Sequence, residues 1–226
     1  MKTAPQRRPI ARLPREERLS SLLAAARAVF SERGYNETTT AEIAQRAGVV
    51  EGTIYYYFRS KRAILIRVLE DWYGSVIPDY PTVLGHIHGA KPRLRFLIWQ
   101  HLRMVHEEPA LSRFVIEIRE DNDYRETEVY RLNARYGAEI IQVVADGVAS
   151  GEVRSDASPH LVRDMIFSTV EYLTRSYLRG EGDFAVDALA DRLTDQIFHG
   201  IGPGPQDDAL SEIVSRLEAA TARLKL

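Results

Sequence analysis

Residues 38–61, TTTAEIAQRAGVVEGTIYYYFRSK, constrain the fold of this chain more than any other segment. Thr39 and Glu42 have the spacing of a capping box, which predicts that a helix starts at Thr39. Gly48 ends that helix, and a second short helix is predicted over about 52–58. Two short helices joined by a tight turn that contains glycine are the pattern of a helix-turn-helix.

Three consecutive tyrosines in the second helix, Tyr55, Tyr56 and Tyr57, predict a surface as well as a core. Successive residues on a helix are about 100° apart, so the three rings cannot all face one core. Phenol groups that point outward donate hydrogen bonds to phosphate oxygens, and their rings pack on sugars and thymine methyl groups. The alternative is that they are ordinary core aromatics at a helix junction. The predicted core of the two helices consists of Ile43, Ala44, Ala47, Ile54 and Phe58.

Apolar residues recur at helical spacing in most of the remaining chain, and no segment shows the alternation of a strand. The fold class predicted from this pattern is all-α. Gly74, Pro78 and Pro81 are expected to interrupt the pattern. One predicted helix has Pro14 in its first turn and ends at Gly34, Ser60 caps another, and later ones cover about 94–105, 129–147, 162–177, 189–197 and 210–224.

Charge is distributed unevenly along the chain. Residues 1–62 contain 12 basic and 6 acidic side chains, whereas the remainder is acidic overall. A basic end suits contact with a polyanion, although a solvated charged tail remains an alternative. The predicted organisation is a flexible basic arm at 1–14, a helix-turn-helix domain at 15–62, a helical domain at 63–200, and a linker with a C-terminal helix at 201–226.

Several classes of protein lack support in the sequence. There is no cysteine, which excludes disulfides and thiolate zinc sites. His86 and His88 have no carboxylate cluster nearby in the sequence, so no metal site is predicted. No phosphate loop, nucleophile elbow or zinc helix motif is present, so neither an enzyme nor a bound cofactor is expected. Without a signal peptide or a long apolar run, the prediction is a soluble cytoplasmic protein with no membrane contact.

Two stretches, GYNETTTAEIAQRAGV (Gly34–Val49) and GTIYYYFRSKRAIL (Gly52–Leu65), closely resemble the DNA-binding domain of the TetR family of transcriptional repressors. The resemblance is strong over about residues 15–70. It implies that the second and third helices form the helix-turn-helix and that the fourth leads into a helical regulatory domain. It also implies a homodimer formed by helices at about 158–180 and 185–200.

The same resemblance assigns residues to double-stranded operator DNA. It implies phosphate contacts for Thr40 and Lys61, and a position in the major groove for Tyr55. Glu51 departs from the small or positive residues often found at its position, and either accepts a hydrogen bond from a cytosine amine or points into solvent. The residues assigned to DNA are Thr40, Val50, Glu51, Gly52, Thr53, Tyr55, Tyr56, Tyr57 and Lys61.

Residues Glu108–Arg119 and Tyr124–Val153 are similar to the fatty-acyl-CoA-responsive branch of that family. The similarity implies an apolar small-molecule effector, an acyl-CoA or a fatty acid, that releases the operator. Arg93, Arg95 and Arg119 are candidate anchors for its anionic head. The alternatives are plain core residues in a ligand-free DNA-binding protein or a helical enzyme, and for His101 a hydrogen-bonded core histidine. The residues assigned to the ligand are Leu97, His101, Leu102, Phe114, Ile118, Arg119, Tyr136, Ile140 and Val144.

Overall fold

The computed structural model describes residues 14–77, 79–202 and 214–216. All regular elements in these ranges are helical, which confirms the predicted all-α class. A short 3₁₀ helix, Tyr124–Glu126, precedes the eighth α-helix. The α-helices are α1 (Arg15–Arg33), α2 (Thr40–Arg46), α3 (Glu51–Tyr57), α4 (Lys61–Val76), α5 (Tyr80–Gly85), α6 (Ala90–Glu107), α7 (Pro109–Ile118), α8 (Glu128–Ser150), α9 (Pro159–Leu178) and α10 (Val186–Ile201).

The chain forms two compact units, of which the first ends at Trp72 and the second begins at Tyr73. This division lies within α4. The domain boundary predicted at residue 62 coincides instead with the start of that helix. The predicted basic arm lies outside the described residues except for Pro14, which caps α1 rather than entering its first turn. The predicted C-terminal helix is described only at 214–216, where the chain is helical.

Local signals in the sequence account for the helices of the first unit. The Thr39 hydroxyl accepts a hydrogen bond from the Glu42 backbone N–H at 3.2 Å, and a Glu42 carboxylate oxygen accepts one from the Thr39 N–H at 2.9 Å. This arrangement confirms the predicted capping box at the start of α2. Ser60 caps α4 in a similar way, because its hydroxyl accepts a hydrogen bond from the Ala63 N–H at 3.1 Å. The core of the unit includes Leu22, Ala26, Phe30, Ile43 and Ile54.

The second unit is built around α6, which packs against α8, α9 and α10. α8 approaches the start of α6 closely at Gly147. A Cβ atom at this position would lie 2.8 Å from the Cβ of Ala90 and 2.7 Å from Cγ2 of Val153, so only glycine fits. The buried side chains of this core include Leu94, Leu97, Ile98, Leu102, Ile140, Val143, Ile166, Val170, Leu193 and Ile197.

Two predicted interruptions are wrong. α4 continues through Gly74 to Val76, because one glycine costs a helix only about 1 kcal/mol and the neighbouring Trp72 and Tyr73 are buried. Pro81 lies in the first turn of α5. Backbone N–H groups in the first turn of a helix make no hydrogen bond within the helix, so proline, which has no N–H, is tolerated there. None of the described helices is long and apolar enough to cross a membrane.

Candidate functional sites

Helix α3 presents aromatic side chains to solvent. Ile54 faces the core and is 1% exposed, whereas Tyr55 is 57% exposed and Tyr56 is 73% exposed. Tyr57 is half-buried, and its ring meets that of Tyr56 edge-on with 5.0 Å between the centroids. Val50, just before the helix, is also exposed. Adjacent exposed aromatic and aliphatic side chains indicate a surface that another molecule covers.

A hydrogen-bonded cluster of Thr40, Glu51 and Tyr55 links α2 to α3 on this surface. The Thr40 hydroxyl donates to a Glu51 carboxylate oxygen at 2.6 Å. The Tyr55 hydroxyl lies 3.1 Å from the same Thr40 oxygen, and since the Thr40 proton is directed at Glu51, Tyr55 is the donor. Glu51 therefore has a partner within the chain, an arrangement that the sequence did not predict. The cluster fixes the direction in which the Tyr55 ring leaves the helix.

Lys61, at the start of α4, directs its ammonium group at the loop between α1 and α2. Its Nζ donates to the carbonyl oxygens of Tyr35, Asn36 and Thr38 at 2.7, 3.3 and 2.8 Å. The same Nζ lies 4.4 Å from the centroid of the Tyr35 ring. These contacts use all three of its N–H donors. Lys61 must therefore break one of these hydrogen bonds to a carbonyl oxygen before it can contact a phosphate.

A small cavity in the second unit has an aromatic wall and room for about one water molecule. Two of its three phenols have partners. The Tyr136 hydroxyl donates to the Leu97 carbonyl at 3.1 Å, and the Tyr73 hydroxyl donates to Oδ1 of Asn133 at 3.0 Å. The residues that line the cavity are Tyr73, Ile77, Tyr80, His101, Met104 and Tyr136.

Two of the residues that line this cavity each carry a polar atom that is shielded from solvent and has no hydrogen-bond partner in the described part of the chain: the Tyr80 hydroxyl and Nδ1 of His101. Burial lowers the pKa of His101 to about 3, and the nearby Arg119 charge contributes to the same shift. Burial also raises the pKa of Tyr80. Both side chains are therefore neutral near pH 7. His101 is not the fully hydrogen-bonded core histidine that the sequence left open.

Arg93 and Arg95 already have acidic partners on other helices. An Nη1 of Arg93 donates to Asp146 of α8 at 2.8 Å. Nε of Arg95 donates to Asp191 of α10 at 2.5 Å. These ion pairs join α6 to its neighbours, so an anionic ligand would have to compete with Asp146 and Asp191 for the two guanidinium groups.

Arg119, at the end of α7, contacts two further helices. Its Nη1 donates to Glu171 of α9 at 3.1 Å, and its Nη2 donates to Oδ1 of Asn133 of α8 at 3.3 Å. The guanidinium also lies 5.7 Å from the centroid of the Phe167 ring. Arg119 is half-buried, and its charge is compensated within the chain.

The structure divides the predicted ligand residues into groups. His101 and Tyr136 line the cavity, with their rings edge-on at 5.2 Å between centroids. Leu97, Leu102, Ile140 and Val144 belong to the main core of the second unit, whereas Phe114 and Ile118 are buried on α7 outside that cluster. The sequence missed Tyr73, Ile77, Tyr80 and Met104. The first three lie in the segment where Gly74, Pro78 and Pro81 predict an interruption, although a proline directly after Tyr80 is itself a signal for a helix start.

Helix α9 has apolar side chains on two different faces. Val162, Ile166 and Val170 are buried in the core. The other face exposes Leu161, Met165 and Tyr172, and the Tyr172 side chain is 69% exposed. These three residues, spaced by four and seven positions, lie within about 40° of one another around the helix. We call Leu161, Met165 and Tyr172 the α9 stripe.

The described residues contain no cluster of three or more histidine, aspartate or glutamate side chains that could hold a metal ion. Among those residues, neither His86 nor His88 belongs to such a cluster. The geometry offers an exposed aromatic surface, an aromatic cavity and an exposed apolar stripe.

Residues 22–68 match the family model described as bacterial regulatory proteins, tetR family. Residues 89–201, half of the chain, match the tetracyclin repressor-like C-terminal domain. The chain belongs to the TetR family. As a member of the TetR family it is a DNA-binding transcriptional regulator, and α2 and α3 are its helix-turn-helix.

Relatives within the TetR family align over most of the chain. The fatty acid metabolism regulator protein of Bacillus subtilis is 26% identical over 181 residues, which cover 80% of this chain and 93% of the relative. The transcriptional repressor KstR2 of Rhodococcus jostii is 25% identical over 187 residues, which cover 81% and 91%. The crystal structure of Bacillus subtilis FadR in complex with stearoyl-CoA superimposes with a TM-score of 0.68 at 26% identity, covering 78% of this chain and 95% of that one.

Proposed function

We propose that this TetR-family regulator is a homodimeric repressor that is released from its operator by a largely apolar ligand, an acyl-CoA or a fatty acid. The observation that carries the DNA part of the proposal is the exposure of Tyr55 and Tyr56 beside the Thr40–Glu51–Tyr55 cluster. Exposed rings on the second helix of a helix-turn-helix suit major-groove and phosphate contacts. The proposal includes a cytoplasmic location, because operator DNA lies in that compartment in bacteria.

We propose individual roles for the residues of this surface, which the exposure and the hydrogen bonds of these side chains support. Tyr55 reads the major groove, and the Thr40 hydroxyl holds its phenol in place. Tyr56 and Tyr57 contact the phosphate backbone, while Val50, Gly52 and Thr53 bring the start of α3 close to base edges. Glu51 orients Thr40 and repels phosphates that approach out of register, which favours specific binding over non-specific binding.

Replacement of Tyr55 by alanine tests this surface. Tyr55→Ala should weaken binding to an operator selected from random duplexes by about 1–3 kcal/mol, since one good base contact is lost. Because the ring is exposed, the melting temperature should stay within a few degrees of wild type. Fluorescence anisotropy and thermal unfolding measure the two quantities. A large fall in stability with an unchanged affinity per folded molecule would show that Tyr55 is a core residue.

The α9 stripe is the proposed dimer surface. TetR-family operators are read by two helix-turn-helix units, so a dimer should contact half-sites about 34 Å apart or somewhat more. Helix α9 exposes this apolar face in addition to the face that it buries in the core. A second copy of the chain that covers the α9 stripe would account for it, because a monomer gains nothing from exposing these side chains.

The proposed ligand enters the second unit through the aromatic cavity. In the described conformation the cavity is too small for an acyl chain, so binding must separate the helices that line it. Such a ligand binds the conformation in which these helices are separated, and so increases the fraction of molecules in that conformation. Arg119 joins α7 to Glu171 of α9, so a ligand head group that competes for Arg119 also acts on the helix that carries the α9 stripe.

The effector class is tested by operator release with a panel of compounds. Long-chain acyl-CoAs or free fatty acids should lower operator affinity, and aromatic cations should not. The size of the effect is set by the difference in ligand affinity between the two states, so a compound that binds without releasing DNA is not an effector. Release by the cations alone would reject the acyl class and leave the repressor assignment intact.

A further inference from the structure

The cavity wall contains two neutral hydrogen-bonding atoms that the fold leaves unused. The Tyr80 hydroxyl and His101 Nδ1 are both buried and lack partners within the described residues, whereas Tyr73 and Tyr136 on the same wall are satisfied. Native proteins pair nearly all buried polar side-chain atoms, so two such atoms on one small cavity indicate a ligand or water site. Their rings are held in place, because both the Tyr80 and the His101 rings pack against Tyr136.

We propose that Tyr80 and His101 form a recognition pair for an uncharged oxygen of the effector, a carbonyl on an otherwise apolar chain or ring. This inference rests on the proposed function, since it specifies the chemistry of the ligand that enters the same cavity. A phenol donates one hydrogen bond, and an imidazole with its proton on Nδ1 donates a second. A carbonyl oxygen accepts both.

The residues around the Tyr80 and His101 pair favour a neutral ligand oxygen over a carboxylate. None of the described residues that line the cavity is a lysine or an arginine. The low pKa of His101 means that its ring brings no positive charge near pH 7. A buried carboxylate beside a neutral phenol and a neutral imidazole would lose its hydration without gaining a counterion. The acyl group should therefore be recognised as an ester or thioester rather than as a free acid.

A pair of matched ligands tests the inference. Palmitoyl-CoA carries a thioester carbonyl, and S-hexadecyl-CoA has the same chain length without that oxygen. Calorimetry should show that wild type prefers palmitoyl-CoA. Tyr80→Phe should weaken palmitoyl-CoA binding about tenfold, as expected for one lost hydrogen bond, and should change S-hexadecyl-CoA binding by less than about twofold. His101→Phe should have the same selective effect.

Met104→Leu is the matched control, because it alters the cavity wall without removing a hydrogen-bonding group. It should change the affinity of both ligands by the same factor. Two results would overturn the recognition pair: an equal loss of affinity for both ligands in Tyr80→Phe, or no preference of wild type for palmitoyl-CoA. Neither result would contradict the proposal that the effector is an acyl compound. If wild type binds neither compound, the proposed acyl effector fails together with the pair.

The ligand-free protein gives a second readout. Tyr80→Phe removes a hydroxyl that has no partner among the described side chains, so its melting temperature should be equal to that of wild type or higher. A fall of several degrees would show that the hydroxyl already has a strong partner in the free protein, and would overturn the inference.

Discussion

At the scale of single residues, Lys61 has a structural role that its charge alone does not reveal. Its ammonium group holds the loop before α2 through contacts to three carbonyl oxygens, and so fixes where the helix-turn-helix begins. The sequence predicts a phosphate contact for this lysine, and the two roles make different predictions. One concerns stability, and the other concerns the salt dependence of DNA binding.

Lys61→Met should lower the free energy of unfolding by about 1–3 kcal/mol, because hydrogen bonds from a charged donor to carbonyl groups are lost. Arg59→Met is the matched control, since Arg59 is exposed and the change in net charge is the same. Urea unfolding measures both variants. Unchanged stability for Lys61→Met, with a DNA-binding salt slope reduced by about 0.9, would identify Lys61 as a phosphate anchor instead.

His101 should make the protein less stable in mild acid. Its pKa is about 3 in the folded protein, against an ordinary value of 6.5. Between these values the unfolded chain binds a proton that the folded chain does not, so stability falls as the pH decreases from 6.5 towards 3. The groups that face His101 are the guanidinium of Arg119 and the phenols of Tyr73, Tyr80 and Tyr136, and burial raises the pKa of all three phenols.

The measurement compares wild type with His101→Asn by urea unfolding at pH 7 and pH 5. Wild type should lose about 2 kcal/mol more than the variant over this interval, given about 1.4 kcal/mol for each pH unit below 6.5. Carboxylates elsewhere contribute equally to both proteins and cancel in the comparison. Identical pH dependence would mean that His101 is protonated normally in the folded protein.

At the scale of secondary-structure elements, the helices with local start and stop signals are the ones that the sequence predicts well. Thr39 caps the start of α2, and Ser60 caps the start of α4. Gly48, with a φ of +69°, follows the end of α2. Residues next to each boundary are therefore enough to predict it. α5 and α7 are harder to predict because each carries a proline, Pro81 and Pro109, at its start. The same residue type ends one helix and begins another, and only packing decides between them.

Two glycines inside helices of the second unit should respond in opposite ways to alanine. Gly147→Ala should destabilise the protein by about 1–3 kcal/mol, because the new methyl group would overlap Ala90 and Val153. Gly74→Ala is the matched control in α4. A Cβ there meets nothing within 4 Å, so the protein should gain about 0.5–1 kcal/mol from the better helix former. Thermal unfolding of both variants measures the contrast, and destabilisation by both would contradict the close approach at Gly147.

At the scale of the whole molecule, the sequence predicts the class of protein better than it predicts the ligand site. The helix-turn-helix is contiguous, so its motif can be read directly. The cavity brings together residues as distant as Tyr73 and Tyr136, and the ion pair between Arg95 and Asp191 joins α6 to α10. Contacts of this kind depend on the folded arrangement of the helices, which explains why Tyr80 was missed while His101 was named.

If the α9 stripe forms the dimer surface, acidic substitutions in it should disrupt the dimer. The double variant Leu161→Asp with Met165→Asp should dissociate to monomers at micromolar concentration, because four carboxylates would be buried in the interface of the dimer. Ala134→Asp with Ala138→Asp is the matched control, with the same spacing on an exposed face of α8. Sedimentation velocity measures the state. A double variant on α9 that stays dimeric would place the dimer surface elsewhere.

The most direct measurement for the central claim is the equilibrium affinity of the purified dimer for a selected operator duplex, determined at fixed salt with and without palmitoyl-CoA. The account predicts tight binding that depends on operator sequence and is weakened at least about tenfold by saturating palmitoyl-CoA, which corresponds to about 1.4 kcal/mol of differential affinity. Operator binding that is the same at every concentration of palmitoyl-CoA and palmitate would contradict it.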